Sequence, residues 1–536
     1  MKKIYSLCYP FFKKHKFMLV IYVFLSIIVS ATSLFTPFIV GSFIDHIISA
    51  ESIVFFNIYF IAFAFTGSVS LIAAYLSSLI FVKLQTTTGY ELNKFMIRHM
   101  HHLSLAYLQK ENTVYLTQRV NNDSNILVMF FLEFTKNVVI NGFMIIIPVF
   151  IMFDLNSTLT LLLLIISVFY FVFYMLYKKI LYKAKMNFVE SQSIFFSKLN
   201  EQLFHVKFIK MHAIFGKFIN RLDYSFYNLL KNAINNQKAG YIFSSFDKVV
   251  LVIAQLIMLF LGGVEIVNNR ITIGGFTIII SYFSLMLAST RYFFNLGQSV
   301  QETTVACTRL SDILAMDKEI NGDIVLSQIK NISLVDFSFK YEGKNIFENL
   351  NIEFTMGNVY ILAGDNGKGK STLINNIIGL YINEYSGSII YNGIDIKKID
   401  LYNLRNKLLG ISEQEPILLP DTLDYNLHFD NKYDNTHFLF NVLNMDKYMD
   451  NMMNKLGSGV NNAEISGGEK QKISIFRALI KNPDVVILDE PTNSLDVSSK
   501  VKLRKYIDSI KHNKIIIIVT HDRDFINKKD DIVLNV

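Results

Sequence analysis

The stretch Val359-Tyr360-Ile361-Leu362-Ala363-Gly364-Asp365-Asn366-Gly367-Lys368-Gly369-Lys370-Ser371-Thr372 decides how the second half of this chain folds. Five residues rich in β formers lead into a glycine-rich turn, and Leu373–Leu380 follows with helical character. Residues 364–372 fit G-x-x-x-x-G-K-[ST] in the strand-turn-helix context that the pattern requires. The glycines let backbone N–H groups turn inward around phosphate oxygens, and the helix N-terminus adds partial positive charge. Lys370 is placed to reach the β- and γ-phosphates, and the Ser371 hydroxyl to reach Mg²⁺.

Working outward, strand-like runs Ile332–Phe339 and Asn358–Ala363 alternate with turns and helical stretches from about residue 325, which predicts an α/β domain. A second run, Val485-Val486-Ile487-Leu488-Asp489-Glu490, reads as a buried strand. Its carboxyl end delivers two carboxylates to the sheet edge where α/β folds bind ligands. Asp489 is a candidate for holding Mg²⁺, and Glu490 for polarising an attacking water.

Upstream the composition changes. The chain has 536 residues, 51% of them hydrophobic and 18% charged, with 47 Phe and 27 Tyr. That charge content is below the roughly 25% of average globular proteins and excludes disorder. Residues 1–310 carry 26 Lys+Arg against 13 Asp+Glu, whereas 311–536 carry 26 against 31. The formal charge of +8 is therefore the sum of a basic front and a mildly acidic back. The basic residues are spread between apolar runs and form no compact face, which argues against a nucleic-acid partner.

Six runs are long and apolar enough to cross a bilayer: roughly 17–42, 53–82, 137–153, 157–177, 249–267 and 271–296. The third extends back toward Ile126. The first continues through Thr36-Pro37 without a small-residue cleavage site and is no signal peptide. Lys2, Lys3, Lys13, Lys14 and Lys16 precede it, and 83–136 and 178–248 are Lys- and Arg-rich, while the alternate turns are poor in both. The positive-inside rule puts both termini in the cytoplasm. The two basic segments lack proline and are expected to be helical, with Leu92, Phe95, Met96 and Met100 on one periodic face. Their tips are expected near 108–120 and 205–216. Cys8 and Cys307 are too far apart in sequence, and on the wrong side of the membrane, to suggest a disulfide.

Residues 325–536 resemble the ATP-binding cassette of ABC transporters, and 1–310 resemble the six-helix membrane domain of the exporter type, with 311–324 as linker. The specific mark is Ile465-Ser466-Gly467-Gly468-Glu469-Lys470-Gln471-Lys472, similar to the family signature LSGGQ with Ile for Leu and Glu for Gln. Further elements fall in order. Tyr341 matches the adenine-stacking aromatic, Gln414 the Q-loop glutamine, Ser494-Leu495-Asp496 the D-loop, and His521, after Ile515–Thr520, the switch histidine.

The resemblance implies an all-α six-helix transmembrane domain followed by an α/β P-loop cassette. It implies ATP and Mg²⁺ as ligands, with Gly364, Asp365, Asn366, Gly367, Lys368, Gly369, Lys370, Ser371, Thr372 and Tyr341 on the nucleotide. Ser466, Gly467 and Gly468 would bind the γ-phosphate held by the other cassette, and Asp496 of the D-loop would also serve nucleotide binding. Ser371, Gln414 and Asp489 would serve the metal, and Glu490, His521 and Gln414 hydrolysis. One cassette and six spans imply a half-transporter that works as a homodimer or beside a related half-transporter. The setting would be the cytoplasmic membrane, with the cassette on the cytoplasmic side.

The expected activity is ATP-driven export of a peptide or other hydrophobic substrate. The alternative is a membrane-anchored ATPase acting as a sensor or immunity protein. Only 16 residues precede the first span, so no leader-cleaving domain is expected there. Two departures bear on coupling. Gly457–Glu464 lacks the family's acidic-glycine-acidic-arginine pattern, and the chain ends 15 residues after His521. Charged groups near the spans are Glu133, Lys136, Asp247, Lys248 and Arg291; most sit near span ends, where snorkelling or helix-end neutralisation is the expected role, and Arg291 is the best exception, a candidate pathway residue.

Overall fold

The computed structural model describes residues 2–49, 53–110, 113–341, 344–365, 367–429, 431, 433, 436–445, 465–526 and 530–535. Gly457–Glu464 and Asn366 lie outside them. The chain divides into two compact units, Met1–Arg98 with Leu116–Ala315, and His99–Tyr115 with Met316–Val536.

The first unit is helical. An amphipathic helix α1 (Lys2–Lys14) precedes α2 (Lys16–Ile48), α3 (Ile53–Met100), a short α4 (Leu105–Lys110) that belongs to the second unit, and α5 (Thr113–Leu155). Then come α6 (Ser157–Phe204), α7 (Val206–His212), α8 (Phe215–Val267) and α9 (Ile273–Leu314). Six of these helices are long and apolar enough to cross a membrane, as the hydropathy predicts. They run far beyond the apolar spans. The 48 residues of α3 measure about 72 Å against a hydrocarbon core of about 30 Å.

The local punctuation is chemical. Asn156 caps α6 by accepting the Leu159 N–H at 2.9 Å, and Ala213 closes α7 in the left-handed region at φ 50°. Leu92 and Met96 are fully buried, but Phe95 is 44% exposed. A helix end projecting out of a bilayer packs on one side only, so helical spacing overstates its buried face. Cys8 and Cys307 are both buried free thiols, and burial pushes the Cys8 thiol up to about 12.

The second unit carries two sheets. An antiparallel one has the order β2-β1-β4-β5, built from β1 (Asn331–Tyr341), β2 (Lys344–Thr355), β4 (Tyr385–Tyr391) and β5 (Ile394–Asp395). A parallel one has the order β6-β7-β8-β3-β9, from β3 (Val359–Ala363), β6 (Leu409–Ser412), β7 (Val485–Asp489), β8 (Ile515–Val519) and β9 (Asp531–Asn535). Every residue of β7 and β8 is buried, as near-continuous apolar runs require in a parallel sheet covered on both faces. One core fills the space between the sheets around Phe337, Phe354 and Tyr391, and the other packs Leu423, Phe440 and Phe476 on the opposite face.

The domain boundary differs from the expected one. Residues His99–Tyr115 fold with the cassette rather than with the helices that flank them. The Glu319 N–H donates to the His102 carbonyl at 2.8 Å, and the Tyr381 hydroxyl to Gln109 Oε1 at 2.9 Å. His102 Nδ1 pairs with the Tyr402 hydroxyl at 2.9 Å, and the Ser104 hydroxyl donates to Glu384. Leu105 and Ala106 pack on the first core. The predicted tip near 108–120 is thus a docked segment centred a few residues earlier. The predicted tip near 205–216 is α7.

Candidate functional site

Strand order assembles the site. In the parallel sheet β8 lies between β7 and β3, so the carboxyl ends of all three adjoin. From β3 the chain enters Gly364, from β7 it delivers Asp489 and Glu490, and from β8 it reaches Thr520 and His521. Residues distant in sequence meet at one edge because the strands that carry them are hydrogen-bonded neighbours.

The phosphate loop ends at helix α10 (Lys370–Ile377), whose N-cap is Gly369 at φ 93°. A Cβ there would lie 2.5 Å from Ile346 Cγ2, so glycine is required both by the backbone and by space. Asp365, Gly367 and Lys368 are exposed on the loop, and Asp365 and Lys368 pair at 3.4 Å. Lys370 is buried. Its Nζ donates to the carbonyls of Gly364 (2.6 Å) and Asp365 (3.3 Å) and lies 3.1 Å from His521 Nε2. Thr372 lies two residues further on and accepts the Asn376 side-chain N–H through its carbonyl.

Ser371 Oγ donates to Asp489 Oδ2 at 2.7 Å. The other carboxylate oxygen, Oδ1, is buried without a hydrogen-bond partner. Burial pushes the Asp489 carboxyl up, against the pull of the Ser371 hydrogen bond and the Lys370 charge. A serine hydroxyl and a carboxylate with a buried, unpartnered oxygen are hard oxygen donors of the kind Mg²⁺ takes, one or two at a time alongside phosphate oxygens. The donor set fits the metal. No cluster of three or more His, Cys, Asp or Glu side chains occurs among the described residues to suggest a different ion.

Glu490 is also buried. It adopts φ 49°, a conformation that costs a side-chain-bearing residue about 1–3 kcal/mol and persists where its surroundings hold it. The hold is its own N–H, donated to the Val519 carbonyl at 2.9 Å. The turn aims the carboxylate so that Oε1 lies 3.6 Å from His521 Nε2, while Oε2 is buried and unpartnered. Burial raises its pKa, with the opposing pull of His521 next and Asp489 adding to the rise.

The signature lies at the start of helix α11 (Gly467–Ile480), and its departure from the family pattern has a physical role. Ser466 is the N-cap. Its hydroxyl accepts the Glu469 N–H at 3.3 Å, and the Glu469 carboxylate accepts the Ser466 N–H at 2.9 Å. This is a capping box, which the S-x-x-E spacing of the sequence already carried. Gly467 and Gly468 pack against Ser494, and a Cβ on Gly468 would lie 2.5 Å from the Ser494 carbonyl oxygen.

Besides the signature, three further expected site residues sit away from the phosphate loop. Asp496 is the N-cap of α12 (Val497–Ile510), accepting from the Ser499 N–H and hydroxyl and from Lys472 Nζ at 3.0 Å. Those bonds, the Ser499 hydroxyl foremost, hold its carboxyl well below the usual range. Gln414 is exposed two residues past β6, and Tyr341 ends β1 in the antiparallel sheet, partly exposed. Sequence reasoning missed Thr520, a buried residue whose hydroxyl accepts the Asp522 N–H at 3.1 Å and so shapes the turn that carries His521.

A phosphate loop, a carboxylate pair and a histidine on adjoining strand ends, beside a glycine signature and behind six spans, define a membrane-bound nucleotide triphosphatase. Family comparison makes this definite. Residues 19–290 match the ABC transporter transmembrane region and 347–493 match the ABC transporter family model. The chain belongs to the ABC transporters.

It is an exporter-type half-transporter with an ATPase coupled to transport. It is 27% identical over 463 residues to the ATP-dependent lipid A-core flippase of Wigglesworthia glossinidia brevipalpis, covering 82% of this chain and 77% of that one. It is 26% identical over 461 residues to a protein of Staphylococcus aureus (strain NCTC 8325 / PS 47) named for multidrug export, covering 83% and 78%. A bacterial Atm1-family ABC exporter solved with ATP bound shares the fold, with a TM-score of 0.82 at 15% identity over 97% of this chain and 93% of that one.

Proposed function

We propose that two copies of this chain form an ATP-driven exporter in the cytoplasmic membrane, with both termini and the cassettes on the cytoplasmic side, that moves a hydrophobic or amphiphilic substrate. The observation that carries the reading is the meeting of Lys370, Ser371, Asp489, Glu490 and His521 at three adjoining strand ends. Lys370 would exchange its loop carbonyls for the β- and γ-phosphates of ATP, cradled by the backbone of Gly364–Thr372. Ser371 and Asp489, with Gln414, would hold Mg²⁺, which when bound neutralises charge on the phosphate oxygens. Glu490 would take the proton of the attacking water, and His521 would contact the γ-phosphate. Ser466, Gly467 and Gly468 of a second copy would complete the site from across the dimer, and Tyr341 would pack on the adenine.

The substrate is read from two supports. The spans are dominated by Phe, Ile and Leu, and the similar proteins are named for lipid A-core and multidrug export. Both favour a lipid or drug-like amphiphile, with a hydrophobic peptide as the other member of the class.

The test uses the full chain in proteoliposomes. Glu490→Gln is expected to lower ATPase by about 10²–10⁴-fold, the range of a positioned base, while ATP binding persists. Because burial raises the Glu490 pKa, activity should fall with falling pH at a midpoint above that of an ordinary glutamate. Near-normal turnover of Glu490→Gln would sink the assignment. A labelled phospholipid, a lipophilic cation and an apolar peptide, compared for ATPase stimulation and movement, would separate the substrates.

A further inference from the structure

The outer ends of α2 and α9 carry an arrangement that the nucleotide site does not use. Asp45 lies in the last turn of α2. Its Oδ1 accepts the Gly274 N–H and its Oδ2 the Thr272 hydroxyl, both at 2.7 Å. Thr272 is the N-cap of α9 and accepts the Gly275 N–H at 2.9 Å. A carboxylate of one helix thus satisfies an orphan N–H of another and sits at the positive end of its dipole.

One turn below, the backbones touch. A Cβ on Gly274 would lie 2.0 Å from the Gly41 carbonyl oxygen, and one on Gly41 would lie 2.6 Å from that of Gly274. Deeper still, the buried Tyr282 hydroxyl donates to the Leu34 carbonyl at 2.7 Å. Between that lower tie and Asp45 stands Pro37, inside α2. Proline removes one helical hydrogen bond and is an established cause of helix kinks. The outer part of α2 is also bound to α3, through Tyr59 hydroxyl to His46 Nδ1 at 3.0 Å and through rings of Phe43 and Tyr59.

The order along α2 is therefore an anchor at Leu34, a weak point at Pro37, a close glycine crossing at Gly41 and a hydrogen-bonded end at Asp45. We propose that Asp45 is the latch of an outer gate. It is a positioning residue whose two bonds hold the outer third of α2, together with α3, against α9. When the pathway opens outward the latch releases, and α2 bends at Pro37 above the Leu34–Tyr282 anchor. The Asp45–Thr272 bond is exposed, so water replaces it on release. The inference rests on the exporter reading, and its test can fail separately from that reading.

The experiment uses the full chain in lipid nanodiscs, with Cys8→Ser and Cys307→Ser, and spin labels at Ile48→Cys and Ile273→Cys, two exposed positions at the ends of α2 and α9. Distances are measured by electron–electron resonance without nucleotide and after ADP–vanadate trapping. Asp45→Ala should raise the separated population without nucleotide by about fivefold, the shift expected for one net hydrogen bond. Asp45→Asn and Thr272→Ala should fall between it and the parent. Adding Pro37→Ala to Asp45→Ala should return the population toward the parent, which general loosening of the bundle would not do. Basal ATPase of the latch variants should change by less than that same factor of about five. An Asp45→Ala distribution identical to the parent's in both states, or a separated population indifferent to Pro37→Ala, overturns the latch. If Asp45→Ala does not insert, Thr272→Ala decides by the same comparison. A parent chain without ATPase would sink the exporter reading, while the nucleotide-free distances would still judge the latch.

Discussion

The two sides of the cassette that we propose meet ATP are finished to different degrees. At the phosphate loop, Asp489 Oδ1 and Glu490 Oε2 are buried without partners, and Lys370 is held by carbonyls of its own loop. Both carboxyls are pushed up by burial, and Glu490 carries a left-handed backbone. At the signature, Ser466 and Glu469 satisfy each other, and Gly467 and Gly468 lie flat on Ser494. Unfinished polar groups are where we propose that the chemistry is done, because buried carboxylates are costly unless a ligand completes them. A completed cap with bare glycines offers shape, suited to receiving a phosphate from outside.

The comparison breaks most sharply at Lys370. Lys370→Ala should abolish measurable ATP binding and lower ATPase by about 10²–10³-fold, the scale of removing one preorganised charge donor. Retained tight binding of ATP by that variant would mean that the loop backbone alone does the work.

Gly468→Ala tests the other side. The added methyl would press on the Ser494 carbonyl, so ATPase should fall by about tenfold as the signature surface shifts, a barrier change of about 1.4 kcal/mol. Nucleotide binding to the phosphate loop should be unchanged in the same preparation. Equal loss of binding and turnover would erase the distinction between the two sides.

The smallest effect is expected at Glu469. Glu469→Gln keeps the acceptor that closes the capping box and should leave thermal stability and ATPase near the parent's. Glu469→Ala opens the box and should cost about 1 kcal/mol of cassette stability, the scale of a lost cap. A larger effect of Gln than of Ala would show that charge, not capping, is what this position supplies.

Much of this was legible in the sequence, and the reason is locality. The phosphate loop and the apolar strand ending in Asp489-Glu490 are each read within about ten residues. The six spans are legible because a bilayer demands long apolar runs whatever their packing. What could not be read depends on which elements are neighbours. That β8 lies between β3 and β7, and so brings His521 to Lys370, follows from strand order alone. Asp496 matches a motif, yet in this chain its bonds go to Ser499 and Lys472, because an aspartate before a helix is first of all a cap. Phe95 keeps the helical period and is exposed all the same. Asp45 carries no motif, since its two partners lie more than two hundred residues away.

The docked segment His99–Tyr115 bears on how this cassette can be handled on its own. Leu105 and Ala106 cover part of its first core, and Gln109, Ser104 and His102 hold Tyr381, Glu384 and Tyr402. A polypeptide cut to begin at Met316 would leave that apolar surface wet and those polar groups without their neighbours. It would be a poorer, stickier protein than the same cassette in the whole chain. Supplying the missing seventeen residues as a peptide should restore its solubility before it restores anything else.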